Sequence, residues 1–361
     1  MTYLLFIVGL ITLIAGAEIL VRGASRLAAV FGVSPLVIGL TIVAFGTSSP
    51  ELAVSVQSAL AGQADISIGN VIGSNVFNIF FILGIAALIR PIKIAEQLIR
   101  LDAPIMVGVS IFALALALDG WLSRLEGIIL ISLLIVYIIF TLWASKKEKK
   151  DVQDEYAEEY ATKEQKNLKT ILKNLFFVGG GLAMLYFGSH WLVEAAIIIA
   201  RTFGVSELVI GLTIVAAGTS MPEVATSIVA AMKGEGDISA GNVIGSNIFN
   251  ILGVLGVAAA TTPESIPVAV NIIRFDLPIA IFAAVVTIPV FIVDNYISRY
   301  DGLIFFSYFV FYNVLVVMRA LSNPSVPMLE SFLYAYIPLT FFIFVALAAR
   351  YLWKRRKSAS P

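Results

Sequence analysis

Two glutamates occur in nearly identical surroundings within long apolar stretches of the chain. Glu51 ends the segment GTSSPE and Glu223 ends the segment GTSMPE. A carboxylate at membrane depth costs roughly 2.5–3.5 kcal/mol on insertion scales, so by default it marks an ion or substrate pathway. Neither segment contains a lysine, arginine or histidine that could neutralise its glutamate. The two charges therefore suit one divalent cation, or several monovalent cations that share the carboxylate oxygens.

Neutral oxygen atoms follow each glutamate at helical spacing. Ser74 and Asn78 are four residues apart and share one face of a helix, as do Ser246 and Asn250. Carboxylates, hydroxyls and carbonyls together form an all-oxygen site, which hard cations such as Ca²⁺ and, among monovalent ions, Na⁺ prefer. The predicted chemistry is cation binding. The alternative interpretation, in which the glutamates only cap broken helices, is weakened because the arrangement occurs twice.

The segments that carry the glutamates cannot form regular helices. Gly46 lowers helix stability, and Pro50 lacks an N–H and clashes with the preceding turn. We predict a break at residues 46–49 that frees the carbonyls of residues 44–47 to face a cavity or an ion. Pro50 suits the first position of a restarted helix, whose positive end helps to keep Glu51 ionised.

Other titratable side chains have ordinary structural interpretations. Asp102 and Asp276 each precede a proline by two residues and are predicted to cap helices. The first long helix of each half carries two further polar side chains, Glu18 and Arg22 in the first half and His190 and Glu194 in the second. They are predicted to make interface or gating contacts instead of binding ions.

The composition identifies the environment in which these residues act. Of 361 residues, 59% are hydrophobic and only 13% are charged, with a mean hydropathy of +0.96, whereas soluble chains carry about 25% charged residues. This balance predicts a polytopic membrane protein. The formal net charge of zero excludes a nucleic-acid-binding surface, and the absence of cysteine excludes disulfides, Fe–S ligation and thiol catalysis.

Apolar runs predict eleven membrane-spanning helices, at about 3–30, 35–60, 67–89, 97–118, 124–144, 171–200, 206–232, 239–260, 269–292, 299–319 and 328–353. A mixed-charge segment between the fifth and sixth helices is too polar to insert and is predicted to be a cytoplasmic linker. Basic residues accumulate in cytoplasmic loops, so their distribution places the N-terminus outside and the C-terminal KRRK cluster inside the cell.

The two halves of the chain are related by an internal repeat. Residues 31–79 match residues 203–251 at a constant offset of 172, with about 35 of 49 positions identical. Five helices in each half is an odd number, so the second repeat must enter the bilayer from the opposite side. Such inverted repeats place substrate sites near the bilayer midplane and allow rocking between two open states. The predicted fold is an all-α polytopic membrane protein with the following parts: a first five-helix repeat at 1–145, a charged linker at 146–170, a second, inverted five-helix repeat at 171–320, and an extra helix with a basic tail at 321–361.

The doubled segments, GTS-x-PE and GNVIGSN, resemble those of the Ca²⁺/cation antiporter (CaCA) superfamily, and most of all its prokaryotic Na⁺/Ca²⁺ exchanger branch. The resemblance implies a secondary antiporter of the cell membrane that exports Ca²⁺ by alternating access, with no catalytic residues and no cofactor besides the transported ions. It implies that Ca²⁺ is bound by Glu51 and Glu223 with the carbonyls of Thr47 and Thr219. The residues implied to line Na⁺ sites are Ala44, Ser48, Ser74, Asn78, Ala216, Ser220, Ser246 and Asn250.

One position departs from K⁺-dependent members of this superfamily. Where they carry an aspartate in the second GSN segment, this chain has Asn250, which argues against a K⁺ requirement. The eleventh helix also has no implied role beyond packing or an oligomer contact, and the oligomeric state stays open.

Three alternatives to Na⁺/Ca²⁺ exchange differ in mechanism. An H⁺/Ca²⁺ exchanger on the same scaffold would bind protons at the two glutamates, but it would not need the serine and asparagine oxygens. A passive cation channel agrees less well with near-identical inverted repeats. An intramembrane enzyme is disfavoured because HExxH and GxSxG motifs are absent.

Overall fold

The computed structural model describes residues 2–31, 33–145, 168–204, 214 and 216–358, and this part of the chain is almost entirely helical. The long helices, numbered in chain order, are α1 (Thr2–Phe31), α2 (Pro35–Thr47), α3 (Ser49–Leu60), α4 (Ala64–Ile89), α5 (Leu98–Ala117), α6 (Arg124–Ser145), α7 (Leu168–Thr202), α8 (Met221–Lys233), α9 (Gly236–Thr261), α10 (Ile272–Ile292), α11 (Arg299–Ala320) and α12 (Val326–Ser358). Residues 146–167 of the predicted linker lie outside the described residues.

Most of these helices have the length and composition of membrane spans. Nine described helices are long and apolar enough to cross a membrane, and the bent pair formed by α2 and α3 makes a tenth if it is counted as one span. The predicted helix at 206–232 falls partly outside the described residues. The chain is therefore a multi-pass membrane protein whose described helices account for nine or ten crossings.

Two helices form the centre of the fold, and the others surround them. Most residues of α4 and α9 are buried, whereas α6, α11 and α12 turn most of their residues outward. Large apolar side chains on the outer helices are correspondingly exposed, as expected where a helix faces lipid. Both central helices carry the repeated GNVIGSN segment, so the candidate ligands on α4 and α9 are held in the most enclosed part of the protein.

Short strands join connections from the two halves. The strands are β1 (Ile92–Lys93), β2 (Trp121–Leu122), β3 (Ile266–Pro267) and β4 (Tyr296–Ile297). β1 pairs with β4 and β2 pairs with β3, both antiparallel. Each two-stranded sheet thus ties a loop of the first half to a loop of the second half.

Equivalent capping boxes begin the last helix of each predicted repeat. Before α6, the Glu126 carboxylate accepts the Ser123 N–H at 2.7 Å, while the Glu126 N–H donates to the Ser123 hydroxyl at 3.3 Å. Before α11, Asp301 and Ser298 make the same reciprocal pair at 2.8 and 3.3 Å. A capping box satisfies two backbone N–H groups that a helix start leaves unpaired. These contacts therefore fix where both helices begin.

The prediction that Asp102 and Asp276 cap helices is wrong. Both residues have helical backbone angles within continuous helices, and neither side chain makes a capping hydrogen bond. Asp102 instead accepts a hydrogen bond from the Tyr137 hydroxyl at 3.0 Å, and Asp276 accepts one from the Tyr312 hydroxyl at 3.1 Å. Polar groups removed from water need such partners, and a tyrosine on the next long helix supplies each of them.

The helices α1 and α7 run antiparallel and meet through glycines. Gly9 lies opposite Gly188, and Gly16 lies opposite Gly181. A methyl group added at Gly188 would lie 2.6 Å from the backbone nitrogen of Leu13. Small residues at such positions let two helix backbones approach closely within a membrane.

We expect Gly188→Ala to lower the melting temperature of the purified protein, measured by thermal unfolding in detergent. The methyl group would meet backbone atoms of α1, which cannot turn away as a flexible side chain could. Overpacking of this kind costs about 1–3 kcal/mol, more than the 0.5–1 kcal/mol or so that alanine gains over glycine in a helix. Gly108→Ala is the matched control, because among the described residues no atom beyond the neighbouring backbone of its own helix lies within 4 Å of its added methyl group. Equal melting temperatures for the two variants would contradict the close packing of α1 on α7.

Candidate cation site

The bend between α2 and α3 lies at the predicted position. Ser48 separates the two helices, whose axes differ in direction by 45°. Pro50 stands in the first turn of α3 and offers no N–H to the carbonyl of Gly46. The break frees fewer carbonyls than predicted, because the Ala44 carbonyl still accepts the Ser48 N–H at 3.0 Å.

The second half repeats this local geometry. Ser220 precedes α8 with φ −87° and ψ 8°, close to the φ −81° and ψ 8° of Ser48. Pro222 stands in the first turn of α8, as Pro50 does in α3. Ala216 begins the short helix Ala216–Gly218 that leads to this turn. Both glutamates therefore lie in the first turn of a restarted helix, where the positive helix end favours a negative charge.

The two predicted repeats exchange hydrogen bonds at the glutamates. The Ser48 hydroxyl donates to Glu223 Oε1 at 2.9 Å, and the Ser220 hydroxyl donates to Glu51 Oε1 at 2.7 Å. The side chains of these four residues are completely buried. The Ser220 hydroxyl also lies 3.1 Å from the hydroxyl of Ser74 on α4. Each carboxylate is thus oriented by a serine of the other half.

Several oxygens of this cluster make no hydrogen bond within the described part of the chain. They comprise one oxygen of each carboxylate, two amide oxygens and one hydroxyl, namely Glu51 Oε2, Glu223 Oε2, Asn78 Oδ1, Asn250 Oδ1 and Ser246 Oγ. Leaving such a buried group unpaired costs about 1–3 kcal/mol each. A bound cation would satisfy the unpaired lone pairs. The arrangement is therefore chemically suited to hold cations.

Asparagines that the sequence analysis did not single out orient two of these amides. Asn78 donates to the side-chain oxygen of Asn247 at 2.9 Å, and Asn250 donates to that of Asn75 at 3.0 Å. Asn75 and Asn247 also donate to each other's backbone carbonyls, both at 3.1 Å. The side-chain nitrogens of Asn78 and Asn250 therefore donate hydrogen bonds to the other two asparagines, and the side-chain oxygens of Asn78 and Asn250 are left for another partner. All four side chains are almost completely buried.

The helices α4 and α9 widen where these amides lie. A π-helical segment runs from Asn78 to Leu83 in α4 and another from Asn250 to Leu255 in α9. Single π-helical segments within α-helices occur frequently at functional sites. Each segment begins at a predicted site residue, which the spacing of the sequence did not anticipate.

The threonine side chains have partners other than the glutamates. Thr47 donates to the side-chain oxygen of Asn242 at 3.1 Å, and Thr219 donates to that of Asn70 at 3.2 Å. Asn70 in turn donates to the backbone carbonyl of Glu51 at 3.2 Å. Asn70 and Asn242 are therefore further residues that sequence reasoning missed. Their signal was present, since both belong to the GNVIGSN segment that is identical in the two repeats.

The glutamates lack a cationic partner among the residues that the structure describes. None of the ion pairs formed by the described residues includes Glu51 or Glu223. The cluster therefore combines two carboxylates, amide oxygens and hydroxyls with no lysine or arginine bonded to either carboxylate. Any ion that enters must supply the positive charge.

Charged residues of α1 lie at its contact with the turn between α8 and α9. Glu18 pairs with Arg22 on the same helix and with Lys233 of α8, whose Nζ lies 3.3 Å from the carboxylate. Ser25 donates to Glu235 at 3.1 Å. Glu18 thus makes an interface contact, as predicted, whereas Arg22 pairs with Glu18 of its own helix.

A family model described as sodium/calcium exchanger protein matches residues 1–143 and 173–318. The chain is 40% identical over 262 residues to the inner membrane protein YrbG of Escherichia coli (strain K12), an alignment that covers 73% of this chain and 80% of that protein. It is 32% identical over 345 residues to the sodium/calcium exchanger MaX1 of Methanosarcina acetivorans, with 87% and 98% covered.

A solved structure agrees with these sequence relationships. The sodium-calcium exchanger NCX_Mj matches the fold with a TM-score of 0.73 and 31% sequence identity, over 86% of this chain and 96% of that one. The family model covers both halves of the chain, and these relatives are exchangers and membrane proteins, not enzymes. The chain belongs to the sodium/calcium exchanger family.

Proposed function

We propose that this protein is a secondary active antiporter that exchanges Na⁺ for Ca²⁺ across the cell membrane and exports Ca²⁺. The observation that carries the proposal is the buried cluster in which each glutamate has one oxygen bonded to a serine of the other half and one oxygen unpaired. Two carboxylates that have no cationic partner among the described residues balance the charge of one Ca²⁺. Oxygen ligands of mixed charge are the kind that Ca²⁺ prefers.

The proposed ligands divide into two groups, and ions at the Na⁺ sites also use the carboxylate oxygens that bind Ca²⁺. Ca²⁺ binds Glu51 and Glu223 together with the backbone carbonyls of Thr47 and Thr219. The Na⁺ sites are lined by Ala44, Ser48, Ser74, Asn78, Ala216, Ser220, Ser246 and Asn250. Because bound Na⁺ and Ca²⁺ compete for the carboxylates, only a carrier loaded with one or the other crosses between the two open states. Downhill Na⁺ entry then drives Ca²⁺ export.

The proposed topology has eleven spans with the N-terminus outside and the C-terminus in the cytoplasm. It consists of the first five-helix repeat at 1–145, the cytoplasmic linker at 146–170, the inverted second repeat at 171–320, and the extra helix with its tail at 321–361. Support comes from the reciprocal contacts between residues related by the offset of 172, which the inverted arrangement accounts for. Inverted repeats of this kind allow alternating access about a central site.

The proposal is tested by uptake of radiolabelled Ca²⁺ into proteoliposomes loaded with Na⁺ and diluted into Na⁺-free buffer at equal pH. We expect Ca²⁺ to accumulate above its equilibrium level, because the outward Na⁺ gradient drives it. Omitting K⁺ throughout is expected to leave the rate unchanged, since Asn250 adds no third carboxylate to the cluster. A matched set of vesicles carries only a pH gradient, with no Na⁺. Uptake in that set alone would overturn Na⁺ coupling and establish H⁺/Ca²⁺ exchange, and equilibration without accumulation in either set would indicate a channel.

A further inference from the structure

A cavity of about 190 Å³ lies between α10, α11 and α12, and neither Glu51 nor Glu223 lines it. The residues that form its apolar part include Phe80, Ile279, Phe282, Tyr308, Leu333 and Ile337. Hydrogen bonds between α11 and α12 hold this wall in place, one of them joining the hydroxyls of Ser307 and Tyr336 at 2.6 Å. The helix α12 lies beyond residue 318, where the match to the family model ends. The wall that α12 contributes therefore lies outside the part of the chain that the family model matches.

Charged side chains line one end of this cavity. Arg319 donates twice to one oxygen of Glu330, at 3.1 and 2.7 Å, and its guanidinium lies 3.6 Å from the centre of the Phe275 ring. Arg274 also lines the cavity, is exposed, and forms no ion pair within the described part of the chain. The neighbouring carboxylate of Asp276 does not line the cavity and accepts the hydroxyl of Tyr312. Arg274 is thus available to an external anion.

The position of the charges along the helices indicates the kind of molecule that fits. Arg274 is near the start of α10, Arg319 is near the end of α11, and Glu330 is near the start of α12, so all three lie at one end of the bundle. The apolar part of the cavity extends from there along the helices. Tyr334 beside the cavity is 77% exposed, and Leu339 on the same helix is 62% exposed, as expected for a surface that faces lipid. A phospholipid likewise has a charged headgroup at one end and hydrocarbon chains beyond it.

We propose that this cavity binds an anionic phospholipid of the bilayer, with its phosphate at Arg274 and Arg319 and part of one acyl chain between α10, α11 and α12. Arginine binds phosphate strongly because its planar fork can donate two charge-assisted hydrogen bonds. Basic pockets between membrane helices bind anionic lipid headgroups at the cytoplasmic side of other proteins, and the same chemistry acts here at the outer side of the proposed topology. The inference does not depend on which ions the protein exchanges.

The acyl chain would reach the ion-binding region of the protein. Phe80 belongs to the π-helical segment of α4 that begins at Asn78, and its ring packs 5.1 Å from the ring of Tyr308, measured between centroids. An acyl chain in the cavity therefore contacts the same turn that presents the Asn78 amide. The lipid therefore helps to position α4, in addition to filling the space between α10, α11 and α12.

The test is native mass spectrometry of the full chain in detergent with equimolar phosphatidylglycerol and phosphatidylcholine. We expect the protein to retain phosphatidylglycerol preferentially. Arg274→Gln should weaken that retention about tenfold, through loss of a charge-assisted hydrogen bond. Ile279→Trp should weaken it by filling the cavity while leaving the arginines in place. Arg124→Gln is the matched control, because Arg124 is an exposed arginine that does not line the cavity.

Three results would overturn the proposal. The first is equal retention of the two lipids, and the second is retention that neither cavity variant reduces in protein whose melting temperature is unchanged. The third is full displacement of phosphatidylglycerol by an equal concentration of sn-glycerol 3-phosphate, since the cavity would then contribute nothing. Because lipid retention is measured without any ion gradient, its failure leaves the proposed ion exchange untouched, and the converse also holds.

Discussion

Glu51→Gln and Glu223→Gln are each expected to abolish Ca²⁺ transport while leaving the protein folded. Glutamine has the shape of glutamate, and its side-chain oxygen can still accept the hydroxyl of Ser220 or Ser48 that holds the native carboxylate. The charge is lost, however, and the remaining carboxylate cannot balance a divalent ion alone. The measurement is Na⁺-driven uptake of radiolabelled Ca²⁺ in proteoliposomes, with reconstituted protein quantified in each preparation.

The size of the expected effect follows from burial. Both carboxylates are completely buried and lack a lysine or arginine partner among the described residues. Removing one member of a buried charge interaction costs about 3–5 kcal/mol, which corresponds to a loss of affinity of more than about 100-fold. Ca²⁺ is also expected to raise the melting temperature of the unaltered protein, and this rise should be absent in the same two variants.

Glu264→Gln is the matched control for this pair. Glu264 is exposed in the connection between α9 and α10, so its neutralisation removes the same charge from the chain without touching the buried cluster. We expect unchanged uptake and an unchanged response to Ca²⁺. Normal exchange by either Glu51→Gln or Glu223→Gln would refute the proposed ligand set, whatever the result for Glu264→Gln.

The sequence predicted the local structure around the glutamates because its causes are local. Pro50 and Pro222 lack the N–H that a continuous helix needs, so the break and the restarted helix follow from the residue types alone. Glu51 bonds Ser220 of the other half, and the equivalent residues of the repeat, Glu223 and Ser48, bond in the same way. The internal repeat favours such a pair of equivalent contacts. The extent of the break was overestimated, because Ser48 keeps its hydrogen bond to the Ala44 carbonyl.

The hydrogen bonds among Asn75, Asn78, Asn247 and Asn250, here called the asparagine network, could not be predicted from the sequence. They depend on how α4 and α9 cross. Helical spacing groups Ser74 with Asn78 and leaves Asn75 one position away from them, so sequence reasoning passed over Asn75. In the structure, Asn75 meets Asn247 of the other helix, a contact 172 residues distant along the chain. The same limitation explains the error at Asp102, whose partner Tyr137 lies on another helix. The π-helical segments were also not predicted, since no residue pattern in the sequence indicates them.

The asparagine network leads to the second prediction with a large expected effect. Asn75 and Asn247 each bond the other's backbone carbonyl and each accept from a proposed ligand, Asn250 or Asn78. These contacts tie α4 to α9 at the point where both helices adopt the π form. The network therefore serves both the stability of the central helix pair and the orientation of two oxygens that the proposed Na⁺ sites need.

Asn247→Leu is expected to lower the melting temperature of the protein strongly and to remove most Na⁺-driven Ca²⁺ uptake. Leucine has nearly the shape of asparagine but offers no hydrogen bond, so the Asn78 amide and the Asn75 carbonyl each lose the partner that Asn247 provides. The Asn78 amide is left unpaired, at about 1–3 kcal/mol, whereas the Asn75 carbonyl keeps the backbone N–H of Asn78 and loses one hydrogen bond of about 0.5–1.5 kcal/mol, which gives roughly 1.5–4.5 kcal/mol in all. The measurements are thermal unfolding in detergent and uptake per reconstituted molecule.

The matched control uses a buried asparagine that has no such role. Both side-chain polar atoms of Asn174 are buried and make no hydrogen bond within the described part of the chain. Asn174→Leu removes two unpaired polar groups, so we expect its melting temperature to stay the same or rise, with uptake unchanged. A fall in melting temperature as large as that of Asn247→Leu would show that any asparagine-to-leucine change is harmful. The difference between the two variants therefore measures the hydrogen bonds that join α4 and α9, separately from the loss of a buried amide.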